Sequence, residues 1–426
     1  MTGDHATLSP HVPPGERSME RTAWLALASV RGVGEHTLPR LVAAFGSATA
    51  TLQLAADTTA PRLQALLERI LERPLPQELT TAIQEAAADP GHVGRRVAEL
   101  GGWTLTPFDS AFPERLRGIE PMPPALFGMG DQGVLSDRRS VAVVGTRHPT
   151  PIGRTLAASI ATALVDHGAS VVSGLAFGID GAAHAATLAA GGRTVAVIGG
   201  GLAHAGPRAH RLLLQAILAA GGALVGEHPP DAVPTRGTFP RRNRIISGLA
   251  GATVVIEAPE RSGALITARH ALEQGRPVFA APGRPGDPAV MGCLSLLRET
   301  PTRPIVGIAE LLEDLELDGL GLDARVDQPA SAAHHLDAAS ALRLLAPPER
   351  AVAAQLLRGP ASTDAIARAT GLGPSVVAGS LTLLQLRGWS QPLGPLHLPA
   401  GPLVRRPRRP RDGFARAHRP PAGQSP

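Results

Sequence analysis

Four stretches of this 426-residue chain carry residue types and spacings suited to binding anions. The sharpest is Thr235-Arg236-Gly237-Thr238-Phe239-Pro240-Arg241-Arg242-Asn243-Arg244, with four guanidinium groups inside nine residues and Phe239 among them. Guanidinium forks bind phosphate oxygens in pairs and stack on bases. Arginines beside an aromatic suit single-stranded nucleic acid, where backbone charge and base stacking supply the affinity. The stretch reads as a loop that leads into the buried pair Ile245 and Ile246. A solvated charged face is the plain alternative.

Two glycine turns add backbone donors. Gly145-Thr146-Arg147 follows the apolar run Val141–Val144 and precedes a helix. Such a turn aims amides and a helix N-terminus at an anion. It lacks the GxGxxG spacing of a dinucleotide fingerprint, and no acid caps the second strand to hold a ribose. Ser173-Gly174-Leu175-Ala176-Phe177-Gly178-Ile179-Asp180 supplies a hydroxyl and two glycines for close backbone approach. Asp180 reads as the N-cap of the following helix. His184, one turn on, has no nucleophile beside it in sequence and reads as a packing or hydrogen-bonding histidine. The fourth stretch, Glu257 to Thr267, opens a helix where Ser262 and Gly263 could line an anion pocket. A plain helix-opening turn explains it equally well. No catalytic residue, metal-ligand set or cofactor is assigned.

The elements that must hold these turns alternate. Short apolar runs at Ser140–Val144, Ser170–Val172, Thr194–Ile198, Ala223–Val225, Ala252–Glu257 and Pro277–Ala280 are separated by helical stretches. That order gives βαβ units and a parallel sheet covered on both faces. Ligands bind such sheets at the carboxyl ends of the strands, where most of the glycine turns fall. The expected division is a disordered leader at 1–19, a helical module at 20–90, an α/β domain at 100–308, an acidic linker at 309–340, a winged-helix-like module at 341–400 and a basic disordered tail at 401–426. In the helical module, Gly32-Val33-Gly34 joins two helices as a helix-hairpin-helix turn does. Its amides could hold a phosphate, although a Gly-x-Gly connection is also an ordinary loop. In the last module, the helix Pro374–Arg387 offers Val376, Val377, Leu381, Leu383, Leu384 and Leu386. A major-groove reader needs Arg, Asn or Gln at its exposed positions, so this helix suits packing or protein contact.

Composition narrows the classes. The chain has no lysine, which excludes a Walker A lysine and Schiff-base chemistry. Its single cysteine, Cys293, excludes an internal disulfide and a cysteine zinc site, and fits a reducing cytoplasm. Residues 1–20 hold Asp4, Pro10, Pro13 and Pro14 where a signal peptide needs an unbroken apolar run, and no apolar run is long enough to span a bilayer, so no membrane partner is expected. Charge is uneven: sixteen Arg face ten acids over Leu135–Thr300, eight acids face one Arg over Glu310–Asp337, and seven Arg face one Asp over Arg405–Pro426. A basic centre expects a polyanion.

With these motifs in order, the chain resembles the DNA-processing protein A family (DprA, also called Smf). The resemblance rests on Val141-Ala-Val-Val-Gly-Thr-Arg147, Ser173-Gly-Leu-Ala-Phe-Gly-Ile-Asp180 with Ala183-His184, Gly191-Gly-Arg-Thr-Val-Ala-Val197, Phe239-Pro-Arg-Arg-Asn-Arg-Ile-Ile-Ser-Gly-Leu249, Arg261-Ser-Gly-Ala-Leu-Ile-Thr-Ala-Arg269, and Gln274-Gly-Arg-Pro-Val-Phe-Ala280 with Pro282-Gly283. It covers about residues 20–400. It implies an extended Rossmann-like α/β domain flanked by an N-terminal SAM-like or helix-hairpin-helix-like module and a C-terminal winged helix. It also implies single-stranded DNA held in a basic pocket, a homodimer through the Rossmann-like domain, and delivery of the strand to the RecA recombinase in recombination and natural transformation. Members are not known as enzymes. Carried over by position, the DNA pocket would use Gly145, Thr146, Arg147, Ser173, Gly174, Gly178, Arg241, Arg242, Asn243 and Arg244, with Ser262 and Gly263 in support.

Three departures stand out. Phe177 replaces an Arg or Lys common in the family, removing a charge and offering a stacking face. Ala205-Gly206-Pro207 stands where the family has Tyr-Pro. Gly292-Cys293-Leu294-Ser295-Leu296-Leu297 and the following Arg298–Pro301 depart where dimer and recombinase contacts are expected. The competing readings are a nucleotide phosphoribohydrolase on a similar fold, whose PGGxGTxxE segment is absent here, and a winged-helix reader of duplex DNA.

Overall fold

The structure, a computed structural model, describes residues 14–322, 342, 345, 347–386, 390–393 and 396–399. The leader before residue 14, most of the acidic linker and the basic tail lie outside the described residues. The chain forms two compact units, Met1–Gln328 and Pro329–Pro426.

The first unit opens with α1 (Pro14–Ala28), α2 (Thr37–Phe45), α3 (Ala48–Asp57), α4 (Ala60–Leu71), α5 (Gln77–Ala88) and α6 (His92–Glu99). The expected leader therefore ends earlier than residue 19. A proline is tolerated in the first helical turn, which lets α1 begin at Pro14. Packing then fixes it: Trp24 and Leu27 are buried, and the Glu20 carboxylate accepts hydrogen bonds from the Ala48 and Thr49 amides at the start of α3.

The α/β part runs β1 (Trp103–Leu105), α7 (Glu114–Arg117), β2 (Leu126–Gly130), β3 (Val141–Val144), α8 (Pro151–Asp166), β4 (Val171–Ser173), α9 (Ile179–Ala189), β5 (Thr194–Val197), α10 (Arg211–Ala219), β6 (Ala223–Gly226), α11 (Thr238–Leu249), β7 (Ala252–Val255), α12 (Ala264–Glu273), β8 (Val278–Ala280), α13 (Met291–Glu299), β9 (Arg303–Pro304) and α14 (Ile308–Leu317). The strands form one nine-stranded sheet in the order β1-β2-β6-β5-β4-β3-β7-β8-β9. Pairings from β6 to β9 are parallel, and β1 and β2 add an antiparallel edge. Every residue of β3, β4, β5, β6, β7 and β8 is buried, as expected of parallel strands covered on both faces.

The helical module and the sheet share a core. Trp24, Leu27, Leu38 and Leu41 pack in one cluster with Phe127, Ile198 and Leu224, and Trp24 Nε1 donates to Pro124 O at 2.7 Å. On another part of the sheet, Val143, Ile160, Leu164 and Phe279 join Leu311 and Leu315 of α14. The expected linker at 309–340 thus begins as a helix, because two leucines four residues apart give it an apolar stripe to bury.

The second unit contains α15 (Pro347–Leu356), β10 (Ala361–Ser362), α16 (Thr363–Thr370), α17 (Pro374–Leu386), β11 (Ser390–Leu393) and β12 (Leu396–Pro399), with a small sheet ordered β10-β12-β11. This is a winged helix. Val377, Leu381 and Leu384 of α17 bury against Val352, Leu356 and Ile366, which accounts for much of the apolar character of that helix.

Candidate nucleic-acid interface

Because β3, β4 and β5 are neighbours, their carboxyl ends bring three glycine turns together. Two of them touch. Gly178 has φ +83°, and a Cβ there would lie 2.3 Å from Thr146 O, so only glycine lets the β4 turn close on the β3 turn. The Asp180 carboxylate accepts from the Gly174 and Ala176 amides at 3.1 and 3.4 Å. The helix N-cap is Gly178, not Asp180 as expected. Asp180 instead reaches back and fixes the turn that precedes its helix. Burial pushes its carboxyl above the usual range, opposed by the charge of Arg242.

The arginine stretch is a helix rather than a loop. Gly237 precedes α11, Pro240 falls in its first turn where no donor is lost, and Ile245, Ile246 and Leu249 bury its far side. Helical geometry sends the four consecutive polar side chains in different directions. Arg241 is exposed and pairs with Glu35 of the helical module. Asn243 Nδ2 donates to Gly263 O at 3.0 Å. Arg244 is buried and doubly bonded to Glu227, with Nη1 to Oε1 at 2.7 Å and Nη2 to Oε2 at 2.5 Å. Arg244 is therefore a structural ion pair, contrary to its expected role in the pocket.

Arg242 is different. It is 5% exposed, and its Nε and Nη1 meet no acceptor among the described residues. It faces a cavity of about 260 Å³ bordered by Arg147, Gly174, Ala176, Phe177 and Phe239. Gly174 makes room for it: a Cβ at 174 would lie 2.0 Å from Arg242 Nη1. Burial pushes the guanidinium down to about 10, with Asp180 acting against that shift, so it remains charged at neutral pH. At the cavity wall the Arg147 guanidinium lies 5.7 Å from the centre of the Phe239 ring. Phe177 is 48% exposed and meets His210 edge-on at 4.8 Å. His210 Nδ1 in turn lies 3.0 Å from the carbonyl of Leu175, a residue held at φ 55°.

The cavity thus brings together Arg147, Gly174, Phe177 and Arg242 from the expected set. The others support or lie apart. Gly145 packs against Ile179, and Thr146 receives the His148 amide on its hydroxyl while its own amide bonds Glu257 O. The Ser173 hydroxyl, expected to face a ligand, is buried and donates to Val143 O at 2.7 Å. Ser262 receives the Ala264 amide at 3.3 Å, and neither Ser262 nor Gly263 borders the cavity.

His184 lies inside, as its packing role required. Thr194 Oγ1 donates to Val171 O, so it accepts from Nδ1 of His184 at 2.7 Å. Burial, with the nearby charges of His210 and Arg242, pushes this imidazole down to about 3 and keeps it neutral.

Sequence reasoning missed Glu257. It is buried at the end of β7, beside β3, where strand order diverges to either side. That crevice is the usual dinucleotide site of such sheets. Here Glu257 accepts from the Thr150 amide at 2.8 Å and from the Thr150 hydroxyl, and a Cβ at Gly153 would collide with its carboxylate. The chain's own anion thus occupies the start of α8. The available signal was only a Glu ending a buried apolar run, because the Thr-Pro helix start it meets, residues 150–151, lies 107 residues earlier.

These features define a class: a doubly wound α/β domain with a cavity bordered by two arginines, followed in sequence by a winged helix. Residues 103–316 match the family described as DNA recombination-mediator protein A, and residues 336–393 match the DprA winged helix domain. The chain belongs to that recombination-mediator family. It is 42% identical over 217 residues to the DNA processing protein DprA of Bacillus subtilis (strain 168), covering 51% of this chain and 72% of that protein. It is 39% identical over 289 residues to the protein Smf of Escherichia coli (strain K12), covering 67% and 74%. The X-ray structure of DprA from Streptococcus pneumoniae superposes with a TM-score of 0.50 at 28% identity, covering 66% of this chain and 97% of that one. No helix among the described residues is long and apolar enough to cross a membrane.

Proposed function

We propose that this protein binds single-stranded DNA in the Arg147–Phe239–Arg242 cavity, without catalysing a reaction on it, and hands the strand to the RecA recombinase. The observation that carries the reading is the buried guanidinium of Arg242, which borders an open cavity and has two nitrogens without acceptors among the described residues. A buried charge is costly unless paired and hydrogen-bonded. A backbone phosphate would supply both, while Phe239 and Phe177 offer faces for bases. Duplex DNA keeps its bases stacked and cannot offer those faces to the cavity. The two buried carboxylates at the strand ends, Asp180 and Glu257, already hold loops and a helix start. This favours a binding role over the phosphoribohydrolase alternative.

The same reading places the protein in the cytoplasm as a homodimer through its sheet domain, in recombination that includes natural transformation. Binding is tested by fluorescence anisotropy with a labelled dT oligomer and a matched duplex at two salt concentrations. The expected result is strong preference for the single strand with marked salt dependence. Equal affinity for the duplex would overturn the reading.

A further inference from the structure

Beyond the cavity, a wider groove of about 860 Å³ runs between the glycine hairpin after α1 and the segment from Glu227 to Arg241. The two openings share one turn of helix as their wall. Thr238 and Arg241 face the groove, and Phe239 and Arg242 face the cavity. Each pair is spaced i, i+3, so the two pairs form adjacent stripes on the first turn of α11.

The groove is cationic once its pairs are matched. Its acids are each held by an arginine: Glu35 by Arg241, Glu227 by Arg244 and Asp231 by Arg96. Arg31 is exposed and has no ion pair or hydrogen bond among the described residues. His36, His92 and His228 also border the groove, and His228 Nε2 is buried without a partner. Arg241 bonds Glu35 through Nη2 alone and is otherwise open, leaving most of its five N–H donors free.

The hairpin adds backbone donors. Gly32 takes φ +97°, and the turn closes through Val33 N to Val30 O and Leu38 N to Gly34 O. The amides of Arg31, Gly32 and Gly34 take no acceptor among the described residues. Successive free amides in a turn make an anion-binding concavity. Here that concavity stands opposite a second arginine, with a Cβ at Gly34 falling 4.0 Å from Arg241 Nη2.

We propose that this groove is a second phosphate-binding site, and that a single strand seated in the cavity continues over the first turn of α11 against the Arg31–Gly34 hairpin. The proposal rests on the cavity reading above and extends it to a longer strand. A short oligomer fills the cavity alone. A long one engages both sites, so its affinity includes contacts to Arg31, Arg241 and the hairpin amides.

The test compares full-length protein with Arg31→Ala and Arg31→Glu, using short (~5 nucleotides) and long (~20 nucleotides) labelled dT oligomers over a salt series. For the long oligomer, Arg31→Ala should weaken binding roughly threefold to tenfold and lower the log–log salt slope by about 0.7, with a larger loss for Arg31→Glu. Short-oligomer affinity should stay within twofold. Unchanged long-oligomer binding in both variants overturns the proposal. So does an equal loss at both lengths, which would mean that Arg31 acts on the cavity itself. Failure of wild-type protein to bind either oligomer would instead sink the cavity reading.

Discussion

Replacing Arg242 by methionine is expected to remove high-affinity binding of single-stranded DNA while leaving the protein folded. Methionine fills a similar volume without charge. The guanidinium borders the cavity, and its Nε and Nη1 meet no acceptor among the described residues. A hydrogen bond to a charged partner contributes about 2 kcal/mol. Losing two of them corresponds to a fall in affinity approaching a thousandfold, with the salt slope smaller by about 0.7. The Asp180 carboxylate would lose its cation but keep the Gly174 and Ala176 amides. Burial already favours its protonation, so it need not remain a naked buried charge. Gly174→Ala reaches the same end by another route, since its Cβ would stand 2.0 Å from Arg242 Nη1 and 2.7 Å from Asp180 Oδ2. Anisotropy with a dT oligomer and circular dichroism check both variants. Native spectra with wild-type affinity would contradict the role given to Arg242.

Arg244→Ala is expected to do the reverse. It strands Glu227, whose side chain is 6% exposed, beside a guanidinium site that is itself 4% exposed. Removing one partner of a buried ion pair costs about 3–5 kcal/mol. Arg244 also donates to Pro121 O and Arg241 O at 3.0 Å, tying α11 to the segment before β2. A fall in Tm of roughly 5–8 °C is the corresponding thermal shift for a unit of this size. The double variant Arg244→Met with Glu227→Leu should recover most of that loss, because an apolar pair of similar volume often replaces a buried ion pair without cost. Folded Arg244→Ala should keep the wild-type salt slope, because Arg244 holds no phosphate. A reduced slope with unchanged Tm would restore Arg244 to the binding surface.

The contrast between these neighbours shows where sequence reading stops. The βαβ order, the strand-end turns and the winged helix were all legible, because buried parallel strands are continuous apolar runs and glycine marks the close approaches. The antiparallel edge strands β1 and β2 were not: Trp103–Leu105 and Leu126–Gly130 carry no alternation that sets them apart from loops. The arginine stretch hid its helix behind Gly237 and Pro240. Without the helix, four adjacent polar residues look equivalent. With it, Arg241 meets Glu35, Arg242 the cavity, Asn243 a carbonyl and Arg244 a buried glutamate. Those partners lie 17 to 206 residues away in sequence, so spacing alone could not sort them. Glu257 was passed over for the same reason, as its bond to Thr150 spans 107 residues.

The central claim is that a nucleotide of a single strand occupies the cavity under Arg147, Phe239 and Arg242. The most direct measurement is photocrosslinking of a dT oligomer carrying one photoreactive thymine analogue, with the attached peptide mapped by mass spectrometry. The expected attachment is to peptides bearing Phe177 or Phe239, lost in Arg242→Met. Attachment confined to the winged helix, or undiminished in that variant, would contradict the account.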